Sequence, residues 1–163
     1  MKRITPLSLG VILITFVNLT SCTYYMKNPF DPPDRLAWFL KKGEGSISGQ
    51  AFMRRMDGIV IYAAGSRVYL YPNTAYFSEL AECHNRNISN WRIKGVENGP
   101  QNYCKDTQAN GEGRFHFDNL PAGDYIIETE VQWGSSSVGI QGGQLWGTVI
   151  VQNGTSSEII LTQ

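Results

Sequence analysis

The 163-residue chain holds only two histidines and three cysteines, and its 14 basic side chains are matched by 14 acidic ones. The even charge leaves no basic stripe for nucleic acid and no acidic tail. With so few histidines, no ligand cluster of the usual zinc spacing can be assembled, so neither a metal nor a cofactor is expected. No apolar run reaches the roughly 20 residues that a helix needs to cross a bilayer. Sustained helical periodicity, internal repeats and low-complexity tracts are all missing. Present instead are 17 glycines and 12% aromatic residues, set in short alternating runs between turn signals. That mixture points to one all-β domain, long enough to bury its own core.

Lys2 and Arg3 precede an apolar stretch from Leu7 to Val17, interrupted by Ser8, Gly10 and Thr15. This is a secretory signal pattern. The Leu19-Thr-Ser-Cys22 that follows resembles the lipobox of bacterial lipoproteins. The resemblance implies removal of residues 1–21 and lipidation of Cys22, with acyl chains contributing about 0.8 kcal/mol per buried methylene to the membrane anchor. Thr23, rather than Asp, after that cysteine implies the outer membrane, facing the periplasm or the exterior. Loss of Lys2 and Arg3 leaves 142 residues with twelve basic and fourteen acidic side chains. With Cys22 lipidated, Cys83 and Cys104 remain as the two thiols in an oxidising compartment and are expected to pair. Such a bridge would close a loop of about 20 residues and add on the order of 3 kcal/mol.

Residues 22–44 are expected to form a lipidated tether, extended by Asn28-Pro29 and Asp31-Pro-Pro33, with a short helix from Asp34 to Lys42. The sandwich occupies residues 45–163. Strands are expected at Ile47–Phe52, Ile59–Tyr62, Arg67–Tyr71, Arg114–Phe117, Tyr125–Trp133, Leu145–Val151 and Ser157–Thr162, seven in all. Asn153-Gly154 carries a hairpin signal between the last two. In the strand from Tyr125, alternation puts Tyr125, Ile127, Thr129, Val131 and Trp133 on one face. Ile126, Glu128, Glu130 and Gln132 take the other, which its carboxylates mark as wet. Residues 73–105 read as an insertion with a helical piece from Tyr76 to Cys83.

Gly45-Ser-Ile-Ser-Gly49, Val68-Tyr-Leu70 and the run Thr107 to Tyr125 (TQANGEGRFHFDNLPAGDY) resemble the carboxypeptidase regulatory-like, transthyretin-related domain. The resemblance spans about Gly45 to Leu161, with Gln108 where the family usually has Asp. It implies a seven-stranded prealbumin-like sandwich serving as an accessory, structural or binding module, mostly without catalysis. The residues also account for themselves physically. Phe115 and Phe117 share an inward face, Leu120-Pro-Ala-Gly123 reverses the chain, and Tyr125 opens the next strand.

Chemistry finds little footing. His116 and Asp118 share a strand face with Arg114, which is the pattern of a solvated cross-strand face rather than of a site. A calcium-loop reading from Asp106 fails, because its twelfth position is Phe117 instead of a bidentate Glu. The chain ends Ile-Leu-Thr-Gln and so lacks the ending of the transthyretin-related hydroxyisourate hydrolases. The Asn87 and Asn153 sequons are incidental in a bacterial lipoprotein. Tyr76, Phe77, Trp91 and Tyr103 make the insertion aromatic, either as a satellite core or as a candidate binding surface. The expectation is a non-catalytic, lipid-anchored envelope protein acting as a structural or protein-interaction module, with an envelope protein as partner. The alternative is a carbohydrate-binding module using the aromatic insertion.

Overall fold

A computed structural model describes residues 24–85, 91–92, 100–135, 137 and 139–163. The signal segment and Cys22 lie outside these residues. Ten strands and two α-helices follow in the order β1 (Tyr24–Tyr25), α1 (Pro33–Leu36), β2 (Gly45–Arg54), β3 (Val60–Tyr62), β4 (Arg67–Pro72), α2 (Ala75–Asn85), β5 (Trp91–Arg92), β6 (Lys105–Gln108), β7 (Arg114–Leu120), β8 (Gly123–Ser135), β9 (Gly139–Val151) and β10 (Ser156–Thr162). A 3₁₀ turn, Pro100–Tyr103, precedes β6.

The chain is an all-β sandwich of two four-stranded sheets. In the first, β2 is central. β10 runs parallel along one of its edges, while β7 and then β3 run antiparallel along the other. The second sheet is antiparallel throughout, in the order β6-β4-β8-β9. The eighth strand, absent from the sequence count of seven, is β6. Lys105-Asp-Thr-Gln108 has no apolar residue to announce a strand, yet it completes the edge of β4. The Asn153-Gly154 turn forms, with Gly154 at φ +69°, but it is not a hairpin. β9 pairs with β8 and β10 with β2, so the turn carries the chain from one sheet to the other.

Strand alternation places the core. Ile47, Ala51 and Met53 of β2, Phe115 and Phe117 of β7, Val68 and Leu70 of β4, and Tyr125, Ile127 and Val131 of β8 meet between the sheets. β7 contains one extra residue. Ile47 pairs with Phe117 but Gly45 with Leu120, so two steps on β2 match three on β7. Asn119, at φ +56° and exposed, absorbs the surplus and returns Leu120 to the core. The Tyr125 hydroxyl then donates to the Pro121 carbonyl at 2.6 Å and ties the turn down.

The outer face of the second sheet is not the wet face that Glu128 suggested. α2 lies across it, and Glu128 is 3% exposed. Thr74 opens the helix, its carbonyl accepting from Ser78 N at 2.9 Å. The stripe Tyr76, Phe77, Leu80 and Ala81 then settles on Ile126 of β8 as a second core. Glu128 survives burial there because His84 on the same helix bonds it, Nδ1 lying 2.9 and 3.1 Å from its two oxygens.

The segment before β2 is also bound to the sandwich. α1 is four residues, shorter than the helix expected over Asp34–Lys42. Beyond it the chain continues in tight turns, Phe39 N to Leu36 O and Lys41 N to Trp38 O. Leu36 enters the second core and Phe39 the first. We call residues 26–43 the strap.

Candidate functional site

Two of the four residues expected to form an aromatic surface lie in the interior. Tyr76 and Phe77 are both 0% exposed. They pack edge to face at 5.1 Å, Phe30 of the strap caps both, and Tyr71 stacks on Phe77 at 5.4 Å. Tyr103 is half-buried against Phe30 at 5.8 Å. The ordinary alternative, a satellite core, is what these rings build, because the strap and α2 enclose them. Burial raises the Tyr76 hydroxyl pKa to about 12. Trp91 lies in β5, which pairs with β1; its side chain is outside the described part.

No disulfide joins Cys83 and Cys104 in the structure. Cys83 is buried on α2, whereas the Cys104 thiol points to the Lys105 carbonyl at 3.6 Å. Burial raises the Cys104 pKa above its ordinary value, despite a hydrogen bond with Tyr71 that favours the thiolate. A protonated thiol is a poor nucleophile.

His116 and Asp118 are brought together, and a serine joins them. Ser48 Oγ lies 2.9 Å from His116 Nδ1, and His116 Nε2 lies 2.8 Å from Asp118 Oδ1. The connectivity is that of a nucleophile, a base and an orienting acid. The setting is that of a solvated sheet face. These residues stand on the outer face of a sheet, with the His116 and Asp118 side chains 48% and 66% exposed. β2 is paired on both edges, so its N–H groups are committed to the ladders and none is aimed at a developing oxyanion. The three side chains satisfy one another across a solvated face. Beside them Gly49 opens a shallow groove of about 350 Å³, bordered by Gln50, Arg114, Glu158 and Ile160.

A second concavity lies where the strap meets α2 and β9. Glu79 of α2 accepts from Lys27 N at 2.7 Å, from Asn28 N at 2.8 Å and from Asn28 Nδ2 at 2.9 Å. This carboxylate is buried to 7% exposure and clamps the strap to the helix. Next to the clamp is a groove of about 400 Å³ whose walls include Lys27, Asn28, Ser78, Glu82 and Trp146. Trp146 is on the outward face of β9, opposite Glu128, and keeps 39% of its surface exposed. Sequence reasoning missed this residue although a signal existed. Leu145 begins an inward alternation, so its neighbour Trp146 must point out.

The strap has a second anchor at the motif turn. A Cβ on Gly123 would lie 2.4 Å from the Trp38 ring, so the glycine is the seat of that indole. Trp38 then meets Tyr125 edge to face at 5.4 Å and Phe39 at 5.9 Å.

No family model and no curated protein matches the chain. Among solved structures, a Pseudomonas aeruginosa protein, provisionally assigned as carbohydrate-binding, superposes with a TM-score of 0.66 at 24% identity. The match covers 83% of this chain and 99% of that one. A minor pilin of Streptococcus agalactiae matches with a TM-score of 0.41 at 17% identity, over 75% of this chain and 44% of the pilin. The first likeness speaks for the fold, and with the topology above it identifies the chain as a two-sheet all-β sandwich.

Proposed function

We propose that this chain is a non-catalytic binding module of the bacterial cell envelope, held at the outer membrane by lipid on Cys22 and serving as a structural or protein-interaction element. The strap is the observation that supports this reading. A mere spacer gains nothing from a buried carboxylate gripping its backbone, yet Glu79 holds Lys27 and Asn28 by three hydrogen bonds. Only five residue steps separate Lys27 from Cys22, a reach of at most about 18 Å. An acyl anchor at Cys22 therefore keeps the sandwich close to the bilayer, with α2 and β9 near the attachment point.

The test is metabolic labelling with an alkyne-bearing fatty acid, followed by fractionation of the native host. Label on the wild-type protein, its loss in Cys22→Ala, and a shift of that variant out of the membrane fraction are expected. An unlabelled wild-type protein in the soluble fraction would overturn the anchor.

A second reading, saccharide binding, is favoured by the Trp146 groove. Tyr76 and Phe77 of the insertion cannot serve it, being buried. The provisional assignment of the Pseudomonas protein names the same class of ligand.

A further inference from the structure

The groove between the strap, α2 and β9 combines features that neither core has, an exposed indole plane and a rim of unlike polar groups. We infer that it binds a neutral saccharide, stacked on Trp146 and hydrogen-bonded to Asn28, Ser78 and Glu82. This rests on the second reading above and supplies its site and ligand charge.

A sugar ring is amphipathic. Its C–H face gains from removal from water and from the negative face of an indole, while its edge carries hydroxyls that both donate and accept. The groove answers each part. Trp146 is a large ring left partly uncovered on a sheet face that α2 otherwise closes over Ile126 and Glu128. Around it stand an amide on Asn28, a hydroxyl on Ser78 and carboxylates on Glu79 and Glu82. Ser78 Oγ already donates to Asn73 Oδ1 at 3.1 Å and so meets a ligand as an acceptor. Asn28 Nδ2 donates to Glu79, which orients the amide with its oxygen as the remaining acceptor. A volume of about 400 Å³ lies in the range of small-ligand pockets and suits one or two sugar rings.

Charge narrows the class. Among the described lining groups carboxylates outnumber ammonium groups, Glu79 and Glu82 against Lys27, so a neutral sugar meets less opposition there than a phosphate or a uronate. A small cation would find no apolar plane necessary, whereas a neutral sugar uses both plane and rim. The strap supplies one wall through Lys27 and Asn28. A ligand bridging that wall to α2 must therefore tighten the Glu79 clamp, which a ligand bound elsewhere would not do.

The experiment titrates the full-length protein with maltotriose, cellotriose and chitotriose, with trigalacturonate as the charged control. Binding is read by calorimetry, and amide hydrogen exchange is followed at Lys27 and Asn28. At least one neutral trisaccharide should bind, Trp146→Ala should weaken it tenfold or more, and its presence should slow exchange at both amides. Trp146 is exposed, so the variant is expected to fold. Asn28→Asp, which replaces the Nδ2 donor to Glu79 with a second carboxylate and so loosens the strap wall of the groove, serves as a second variant and should weaken binding at least threefold. Binding that survives in both variants would overturn this site while leaving saccharide binding intact. Binding of none of the neutral sugars would overturn both, and binding of trigalacturonate alone would overturn the charge argument.

Discussion

Gly123→Ala isolates what holds the strap. The substitution adds one methyl group in a backbone conformation that alanine accepts, since Gly123 is not among the positive-φ glycines. Its Cβ would stand 2.4 and 2.6 Å from two atoms of the Trp38 ring, where carbon atoms prefer about 3.5–4.0 Å. The ring must retreat by more than an ångström, and it cannot do so without loosening its contacts with Phe39 and Tyr125. Overpacking of this kind costs roughly 1–3 kcal/mol, which is about 5- to 150-fold in a docked-to-undocked ratio. Amide exchange should speed up by that factor at Phe39 and Gly43, whose N–H groups bond Leu36 and Asn119. Exchange in β4 and β8 should hold near the wild-type rate. In a Trp38→Ala background the same substitution should be neutral or slightly stabilising, because the added methyl then meets no ring and alanine costs the strand less than glycine. Unchanged exchange at Phe39 and Gly43 in a folded Gly123→Ala protein would refute the seat. So would an equal penalty in both backgrounds.

The hydrogen bond with Glu128 raises the His84 pKa above its ordinary value, against the lowering effect of burial. The folded pKa being the higher one, this pair stabilises fully below the unfolded histidine value near 6.5 and loses its contribution as pH rises through the folded value. Urea midpoints of wild type and His84→Gln should therefore differ most in mild acid and converge in mild alkali; a gap independent of pH would contradict the linkage. Gly49→Ala drives a Cβ to 2.2 Å from the Phe115 ring and 2.8 Å from the Ile159 carbonyl, and thermal unfolding should show a loss of roughly 1–3 kcal/mol or failure to fold. Ser48→Ala should change stability by no more than about 1 kcal/mol. Mass spectrometry should find no fluorophosphonate on Ser48 of the wild type, and its labelling would overturn the reading of that face.

Much of the sandwich was legible because strands report their own parity. Tyr125, Ile127, Thr129, Val131 and Trp133 do face inward, and Phe115 and Phe117 do meet the opposite sheet. The turns were legible for the same local reason, glycine at positive φ and proline where a strand ends. Strand partners were not. β10 lies beside β2, more than 100 residues away in sequence, so the Asn153-Gly154 signal was correct for a turn and silent about pairing. β6 was hidden because an edge strand of Lys, Asp, Thr and Gln has no apolar face to betray it.

The site eluded the sequence for a deeper reason, visible in three residues of one face. Ile126, Glu128 and Trp146 all point outward from the second sheet, and parity alone makes them equivalent. α2 makes them different. It lands on Ile126, supplies His84 to Glu128, and leaves Trp146 partly exposed beside it. Position along the strand decides only which side a residue takes; a helix and a strap brought in from about 40 to 120 residues away decide whether that side is core, buried ion pair or groove. The aromatic insertion invited the opposite assignment, since Tyr76 and Phe77 have the composition of a binding surface. They were drawn inward by the same helix that left Trp146 partly exposed. Glu79 shows the rule from the polar side. Nothing near it in sequence predicts burial, yet it is indispensable to the clamp because Lys27 and Asn28, some 50 residues earlier, bring it three donors.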